Sequence, residues 1–333
     1  MGQYSPCDVE DLNKEISEEE EDSYLKYASN NLQSWKKINT NAFISQISQG
    51  EENNFDIFCI IDGNKGNEVT KFVQNHFVKE LLAEIKIKKD IKIAIKESFL
   101  KMNKLMLCEQ GMKEISDLRK KNNEEEIKNF KKIINENNNA EENINIFEEE
   151  DREILDYTGC TLCLILIDIK NNKLYFGNIG NSKVYIFQKN KMSKIIESFH
   201  TPNDPQEKER IKDDSLTLKN KLYGILTSSR SFGNLAYNKN NRKIISDEPD
   251  IKEYDINKKD KYIFIGSESV INMIEKDNII NTIKKEEENN ENISLNEILT
   301  ELLNIKIPKN FFNNDNKFGF DNMTCTLIKL KNN

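Results

Sequence analysis

The amino-acid sequence predicts an α+β domain with antiparallel sheets. Apolar runs of strand length are grouped before and after pairs of helical stretches, instead of alternating with single helices. Two turn clusters between such runs, Asn171-Asn172 and Gly180-Asn181, are typical of hairpins, which join antiparallel neighbours. These observations favour antiparallel sheets over a doubly wound parallel sheet.

In the first half of the chain, the apolar spacing predicts two strands and then two helices. Ala42–Gln49 is the first predicted strand, and Phe55–Ile61 is apolar enough to be buried on both faces of a sheet. The apolar residues between Val69 and Leu82 recur at helical spacing, and a second helix is expected at about Ile91–Leu107.

The second half of the chain is richer in strands. The predicted strands are Thr161–Ile169, Leu174–Asn178, Lys183–Gln188, Ile251–Tyr254, Tyr262–Ile265 and Met323–Leu330. The predicted helices are Gln206–Lys212, Ser269–Lys285 and Ser294–Leu303. Ser294 is the expected N-cap of the last helix, and Glu297 completes a capping box.

Composition divides the chain into an arm, a domain and an insert. Residues 1–24 are acidic and are expected to form a solvated arm, whereas residues 25–331 are expected to form a single domain. The charged, Asn-rich segment 112–151 is expected to be an exposed or disordered insert in that domain, with at most a helical turn or two.

Charge and hydropathy exclude several classes of protein. The chain has 333 residues and a net charge of −8, so nothing supplies the basic surface that nucleic acid requires. Its longest apolar stretch, Cys160–Ile169, is half a membrane span. The six scattered cysteines form no disulfide framework, which favours the cytoplasm, and we expect a monomer. Gly2 with Cys7 admits a dual-acylation site, but Pro6 stands where that motif takes Ser or Thr, which disfavours lipidation.

Ten short motifs follow one another from about Tyr27 to Leu330 in an order known from one family. They include Ser34–Lys36, Asn39–Ala42, Phe58–Gly66, Thr158–Thr161, Asn178–Lys183, Leu226–Asn234, Gly266–Asn272 and Asp321–Thr324. In this order they resemble the metal-dependent Ser/Thr protein phosphatases of the PP2C (PPM) type. The resemblance implies a four-layer αββα sandwich, in which two antiparallel sheets are flanked by helix pairs.

The resemblance also implies a centre for Mg²⁺ or Mn²⁺, because hard cations take oxygen ligands and activate a bound water for attack on phosphorus. The family's metal ligands map onto Asp62, the carbonyl of Gly63, Glu268 and Asp321. Three carboxylates are enough for one ion, so the resemblance leaves one ion or none in place of two.

The other site positions of the family have lost their chemistry. Asn64 replaces the histidine that is the family's expected general acid, and an amide cannot deliver a proton near neutral pH. Lys36 replaces the phosphate-binding arginine, so the positive charge remains but the bidentate fork is lost. The family's acids are replaced at five further positions, which are Thr40, Asn41, Asn181, Asn234 and Asn272. Asparagine is common throughout, with 47 in the chain, so general drift toward this residue also accounts for the pattern.

Each retained residue also has an ordinary structural interpretation. Asp62 and Asp321 suit plain turns beside strands, and Lys36 suits a solvated surface. Glu268 suits the first turn of a helix, where a carboxylate favours the dipole.

Two functional hypotheses follow from the sequence, which leaves open whether the protein is an enzyme. The favoured one is a pseudophosphatase that binds a phosphoprotein or a regulatory protein without hydrolysing it. The alternative is a weakly active Mg²⁺- or Mn²⁺-dependent phosphatase that hydrolyses phosphoserine and phosphothreonine through Asp62, Glu268 and Asp321.

Overall fold

The computed structural model describes residues 15–34, 38–48, 54–136, 151–189, 191–238, 243–289, 294–304 and 321–331. Gly2, Cys7 and Lys36 lie outside the described residues. None of the described helices is long and apolar enough to cross a membrane.

Two antiparallel sheets form the centre of the molecule. Sheet 1 has the strand order β1 (Glu15–Glu21), β2 (Leu25–Leu32), β14 (Met323–Leu330), β13 (Asp260–Gly266), β7 (Lys183–Gln188) and β8 (Lys191–Glu197). Sheet 2 has the order β12 (Asp250–Asp255), β6 (Lys173–Ile179), β5 (Gly159–Asp168), β4 (Phe55–Asn64) and β3 (Ala42–Gln46), with the short β11 (Phe232–Gly233) also paired to β5. A small hairpin of β9 (Thr217–Leu218) and β10 (Lys221–Leu222) lies outside both sheets.

Helices cover both outer faces. Helices α1 (Glu68–Lys88), α2 (Ile91–Leu107) and α4 (Asp151–Tyr157) pack on sheet 2, and α3 (Glu109–Glu136) packs on these three helices. Those that pack on sheet 1 are α6 (Glu268–Met273), α7 (Lys276–Asn289) and α8 (Leu295–Asn304), and α5 (Pro205–Ile211) lies in the connection that follows β8.

Three apolar cores hold the four layers together. The central core lies between the sheets and contains Tyr27, Phe58 and Ile263, all at most 1% exposed. The other two join sheet 2 to α1–α4 and sheet 1 to α6–α8. The antiparallel αββα sandwich predicted from the sequence is therefore confirmed.

The acidic amino-terminal segment differs from the solvated arm that we expected. Residues 15–21 form the edge strand β1, which pairs along its whole length with β2. Lys26 Nζ lies 2.7 Å from Glu19 Oε1, and backbone pairing needs no apolar side chain, so an acidic sequence is compatible with an edge strand. Residues 1–14 lie outside the described residues.

The expected insert also begins differently from its prediction. Helix α3 extends to Glu136. It packs against the rest of the domain through Met112 and the fully buried Ile115. Arg119 Nε lies 3.0 Å from Glu68 Oε1 at the start of α1. A few apolar residues at helical spacing therefore dock a helix whose composition is otherwise that of a solvated segment, and residues 137–150 lie outside the described residues.

One predicted hairpin and one predicted helix are wrong. Gly180-Asn181 does not close a hairpin, because β6 belongs to sheet 2 and β7 to sheet 1, so the chain crosses between the sheets at this point. The expected helix at Ser269–Lys285 is divided into α6 and α7, with the C-cap of α6 at Ile274. The same local turn residues serve a hairpin and a crossing, and the two differ in whether the next strand joins the same sheet or the other one.

Candidate active-site cleft

An open cleft of about 410 Å³ contains most of the residues that the sequence singled out. Its lining combines the end of β4, the β6–β7 crossing, the loop before β11, the start of α6 and the residue two positions before β14. The lining residues from the predicted site are Asp62, Gly63, Asn64, Asn181, Asn234, Glu268, Asn272 and Asp321. Thr40 and Asn41 hydrogen-bond to the backbone of Gly63.

Gly63 occupies a position that no other residue fits. A Cβ atom there would lie 2.2 Å from the carbonyl oxygen of Thr40 and 2.4 Å from Oγ1 of Thr70. Thr40 Oγ1 donates a hydrogen bond of 2.9 Å to the carbonyl oxygen of Gly63, and the amide of Gly63 donates one of 3.2 Å to Asn41 Oδ1. The carbonyl expected as a metal ligand is therefore already the acceptor of a protein hydrogen bond.

Thr40 and Asn41 belong to a buried network of neutral groups. Asn322 Nδ2 donates to Thr40 Oγ1 over 3.1 Å, and Asn41 Nδ2 donates to the carbonyl oxygen of Asn322 over 3.3 Å. All three side chains are at most 6% exposed. Neutral groups that bond to one another need no cation to compensate for their burial, which acids at positions 40 and 41 would need.

Glu268 lies in the first turn of α6, beside the β6–β7 crossing. Asn181 Nδ2 donates a hydrogen bond of 3.2 Å to its Oε1, and Thr227 Oγ1 donates one of 3.4 Å to its Oε2. Ser267 is the N-cap residue of this helix, so both interpretations of Glu268 are compatible with its position. An aspartate at position 181 would place a second negative charge about 3.2 Å from Oε1 of Glu268.

Three asparagine side chains in the cleft have an unsatisfied oxygen. The Oδ1 atoms of Asn64, Asn181 and Asn234 are buried and have no hydrogen-bond partner. Asn234 is 0% exposed, and its Nδ2 donates to Ser231 Oγ over 2.9 Å. Asn234 also has a φ of 54°, a left-handed conformation that Asn adopts more readily than most residues.

The described residues do not fit the two-ion centre of the family. Asp62, Glu268 and Asp321 line the same cleft, but no group of three or more His, Cys, Asp or Glu side chains in the described ranges is arranged to hold a metal ion. Asp321 Oδ1 accepts a hydrogen bond of 2.8 Å from the amide of Asn322. The described cleft thus offers a cation these three carboxylates, since the family's acids at three further lining positions are replaced by Asn181, Asn234 and Asn272.

Sequence reasoning missed Lys65, which lies at the rim of the cleft. Its Nζ donates a hydrogen bond of 3.0 Å to the hydroxyl of Tyr237 and lies 5.4 Å from the centre of the Tyr157 ring. The backbone φ of Lys65 is 58°, in the region that glycine adopts most easily. The family motif has glycine at this position, so the sequence alone could have identified Lys65 as an unusual residue of the site.

A cluster of charged residues supports the cleft from one side. Glu207, which is 1% exposed, accepts hydrogen bonds from Arg210, Arg230 and Ser229. Burial by itself would raise the pKa of Glu207, but the hydrogen bonds from Arg230, Arg210 and Ser229 outweigh it and hold the pKa at about 2. This cluster fixes the segment that leads from Ser229 to Ser231 and Asn234 in the cleft wall.

His200 fixes the crossing that carries Asn181. The amide of Gly180 donates to His200 Nδ1 over 3.0 Å, and His200 Nε2 lies 3.2 Å from Asp250 Oδ2. His200 does not line the cleft, so its contacts hold the crossing in place from outside it.

Comparisons with known proteins agree with this architecture. The model of the protein phosphatase 2C family matches residues 105–314. Two relatives from Paramecium tetraurelia are "Probable protein phosphatase 2C 6", 28% identical over 92% of this chain and 93% of its own length, and "Protein phosphatase 2C 1", 26% identical over 92% of both chains. "Probable protein phosphatase 2C 21" from Arabidopsis thaliana is 22% identical over 96% of this chain and 90% of its own.

Solved structures show the same fold. A serine-threonine phosphatase 2C from Toxoplasma gondii superposes with a TM-score of 0.60 at 14% identity, over 96% of this chain and all of that one. A sex-determining protein of C. elegans superposes with a TM-score of 0.65 at 14% identity, over 93% of this chain and 66% of that one. Phosphatases of this family are generally dependent on Mg²⁺ or Mn²⁺ and act on phosphoproteins. From the matched family model, the collinear relatives and the shared sandwich, this chain belongs to the protein phosphatase 2C family.

Proposed function

We propose that this protein is a pseudophosphatase, which keeps the protein phosphatase 2C fold and uses its cleft to bind a protein partner without hydrolysing a phosphate ester. The observation that carries the proposal is the neutral network around Gly63. Thr40 and Asn41 bond to the carbonyl and the amide of Gly63, so two positions of the family's metal site serve the fold in this chain.

The residue at the position of the family's general acid supports the same proposal. Asn64 stands in the cleft at the position of the family's histidine, and an amide does not exchange a proton near neutral pH. The chain has two histidines, and neither lines the cleft. His76 lies on α1 and pairs with Glu114 at 2.7 Å, while His200 is buried beside Asp250.

Electrostatics favour a binding role over phosphate hydrolysis. The described lining residues include three carboxylates, those of Asp62, Glu268 and Asp321, and two lysines, Lys65 and Lys221. In an active centre of the family, metal ions reverse the sign of such an acidic site. In the absence of those ions the carboxylates repel a phosphate dianion.

The alternative function is that of a weakly active phosphatase with one Mg²⁺ or Mn²⁺ ion. It is favoured by one observation, which is that Asp62, Glu268 and Asp321 all line the same cleft. The two functions differ in whether turnover requires Asp62.

The test is a phosphatase assay with a phosphoserine peptide and millimolar Mn²⁺, on the wild-type protein and on Asp62→Ala. We expect no turnover above that of the variant, because the general acid and most of the ligand charge are missing. Turnover by the wild type that Asp62→Ala abolishes would establish the alternative. Binding of Mn²⁺ without turnover, measured by calorimetry, would assign the carboxylates to a structural ion.

A further inference from the structure

We infer that the turn between helices α1 and α2 docks this protein on the surface of a membrane that contains anionic lipids. The docking surface consists of residues 86–93 and is called the α1–α2 tip below. It lies away from the cleft, so the inference goes beyond the proposed function and stands whether or not the cleft hydrolyses a phosphate ester.

Two isoleucines of the α1–α2 tip are exposed to solvent. Ile87 in the last turn of α1 is 67% exposed, and Ile93 in the first turn of α2 is 49% exposed. Ile85, Ile91 and Ile95 of the same stretch instead pack in the core between these helices and sheet 2. A β-branched residue is a weaker helix former than lysine or alanine, so the fold gives no reason for isoleucine at positions 87 and 93.

The α1–α2 tip also carries positive charge, although the whole chain has a net charge of −8. Its four exposed lysines are Lys86, Lys88, Lys89 and Lys92, and its one acidic residue is Asp90. Asp90 is the N-cap of α2 and accepts hydrogen bonds of 2.9 and 3.1 Å from backbone amides of that helix. The positive end of the helix dipole therefore offsets part of the only negative charge in the tip.

Three of the four lysines have their ammonium groups available for a ligand. Lys92 Nζ lies 3.2 Å from Glu253 Oε2 on β12, but within the described ranges Lys86, Lys88 and Lys89 form no ion pair. The Debye length at physiological ionic strength is about 8 Å, so a surface that approaches the tip is attracted by these lysines and is screened from distant acidic residues.

Exposed apolar side chains surrounded by lysines match an anionic bilayer better than a soluble anion or an acidic peptide. At a bilayer surface the lysines lie beside the lipid headgroups, while apolar side chains reach the acyl chains beneath them. A soluble anion offers no apolar contact, and a peptide is recognised in a groove or along a sheet edge. Ile87 and Ile93 instead stand exposed at the end of a helical hairpin.

The position of the α1–α2 tip leaves the cleft accessible in a docked molecule. Positions 62–65 line the cleft, and α1 begins shortly after them at Glu68. The 21 residues of α1 span about 30 Å, and the tip lies at the other end of this helix. A molecule held at the membrane by its tip therefore still presents the cleft to a partner protein.

The test is co-sedimentation of the full-length protein with sucrose-loaded vesicles, in metal-free buffer because divalent ions bridge acidic residues to lipids. One kind of vesicle is pure phosphatidylcholine, and the other contains about 30% phosphatidylserine. We expect at least about tenfold tighter binding to the phosphatidylserine vesicles, with half of the protein bound at a lipid concentration on the order of 1 mM. Raising the NaCl concentration from about 0.15 M to about 0.5 M should weaken this binding about tenfold.

Two variants of the tip separate its charge from its apolar side chains. The triple variant Lys86→Gln/Lys88→Gln/Lys89→Gln should weaken binding to phosphatidylserine vesicles by about fivefold for each lysine removed. The double variant Ile87→Ser/Ile93→Ser keeps the charge and should weaken binding about tenfold, because only a bilayer offers these side chains an apolar environment.

Each tip variant has a matched control on another part of the surface. Lys208→Gln/Lys212→Gln/Lys219→Gln removes three exposed lysines at and after α5. Leu107→Ser/Leu218→Ser replaces two apolar residues that are 44% and 62% exposed. Both controls should change vesicle binding by less than about twofold, because their positions lie outside the tip.

The inference is overturned by equal binding to the two kinds of vesicle, by no binding at about 5 mM lipid, or by a tip variant that binds as well as the wild type. Fluorescence anisotropy with labelled octaglutamate tests the other kind of partner. If octaglutamate binds saturably and loses its affinity in the triple lysine variant, while the vesicles do not bind, the tip recognises an acidic protein and not a membrane.

Discussion

Glu207 and Asn234 are both almost completely buried polar residues beside the same wall of the cleft, yet one is fully hydrogen-bonded and the other is not. Both oxygens of Glu207 accept hydrogen bonds from arginine side chains. Asn234 has one bond through its nitrogen, and its oxygen has no partner. The first group contributes to the stability of the fold, whereas the second lowers it, as is common at functional sites.

We expect the largest change in stability from Glu207→Leu, which tests the hydrogen-bonded cluster around Glu207. The substitution leaves Arg210 and Arg230 without their shared carboxylate, and Arg230 is only 12% exposed. Removing one partner of a buried ion pair costs about 3 kcal/mol or more, because the remaining charge stays desolvated. Urea denaturation at pH 7 measures the change.

Glu209→Gln on the same helix is the matched control, with an expected change below about 0.5 kcal/mol. The effect of Glu207→Leu should also shrink in acid. The folded-state pKa of Glu207 lies below its unfolded value, so its contribution is present above about pH 4.5 and is lost as the pH falls toward about 2. If Glu207→Leu lowers the free energy of unfolding by less than about 1 kcal/mol at pH 7, the hydrogen bonds of Glu207 do not stabilise the fold in the way that distinguishes it from Asn234.

Asp56→Asn tests an unpaired oxygen that lies outside the cleft lining. Asp56 is 0% exposed, its Oδ1 accepts a bond of 2.8 Å from the amide of Ser48, and its Oδ2 has no partner. Burial raises the pKa of Asp56 to about 6. The folded protein therefore holds this proton more tightly than the unfolded chain, and stability falls as the pH rises from about 4 through 6.

Asp56→Asn should accordingly raise the free energy of unfolding by about 2 kcal/mol at pH 8 and change it little at pH 4. Asp168→Asn is the control, because Asp168 is buried nearby but has both oxygens bonded to Asn171. That variant should lower the stability at pH 8. If Asp56→Asn has the same effect at both pH values, the unpaired oxygen is not the source of the pH dependence.

Asn181→Asp is expected to have the smallest effect and tests the cleft itself. It replaces a donor to Glu268 by a second carboxylate at about the same distance. We expect a loss of about 1 kcal/mol in metal-free buffer at pH 8, and recovery of that loss in millimolar Mn²⁺, because the ion screens the new charge.

Asn181→Ala separates charge from packing in this experiment. It removes the hydrogen bond without adding a carboxylate, so Mn²⁺ should not restore its stability. Recovery of both variants by Mn²⁺ would mean that the cleft binds the ion without any help from position 181.

Elements with a clear apolar period were predicted well, and elements made of polar residues were not. Helix α2 at Ile91–Leu107 and strand β14 at Met323–Leu330 agree with their predicted bounds. Strand β2 was missed because its buried residues include Ser29, Asn30 and Asn31, which hydrogen-bond inside the protein and give no apolar signal. Helix α3 was missed for a related reason, since only a few of its residues contact the domain.

The candidate site was predicted through residue order rather than through geometry. The order of motifs placed Asp62, Glu268 and Asp321 together, and the cleft contains all three. The spacing of residues could not show that Thr40 bonds to Gly63 or that Lys65 contacts Tyr157, because those contacts join segments far apart in the chain. The metal-binding role of the carboxylates and the phosphate-binding role of Lys36 stay predictions.

The acidic edge strand β1 has a consequence for how the molecule behaves among copies of itself. In the described sheet, β1 has a neighbour on one side only, so its outer backbone groups are open to a further strand. In the run Glu18–Glu21, Glu19 pairs with Lys26 and Glu21 pairs with Lys331. The negative charges of Glu18 and Glu20 remain along this edge and repel a second copy that would pair there. The same glutamates that contribute little to the core thus oppose self-association and aggregation at neutral pH.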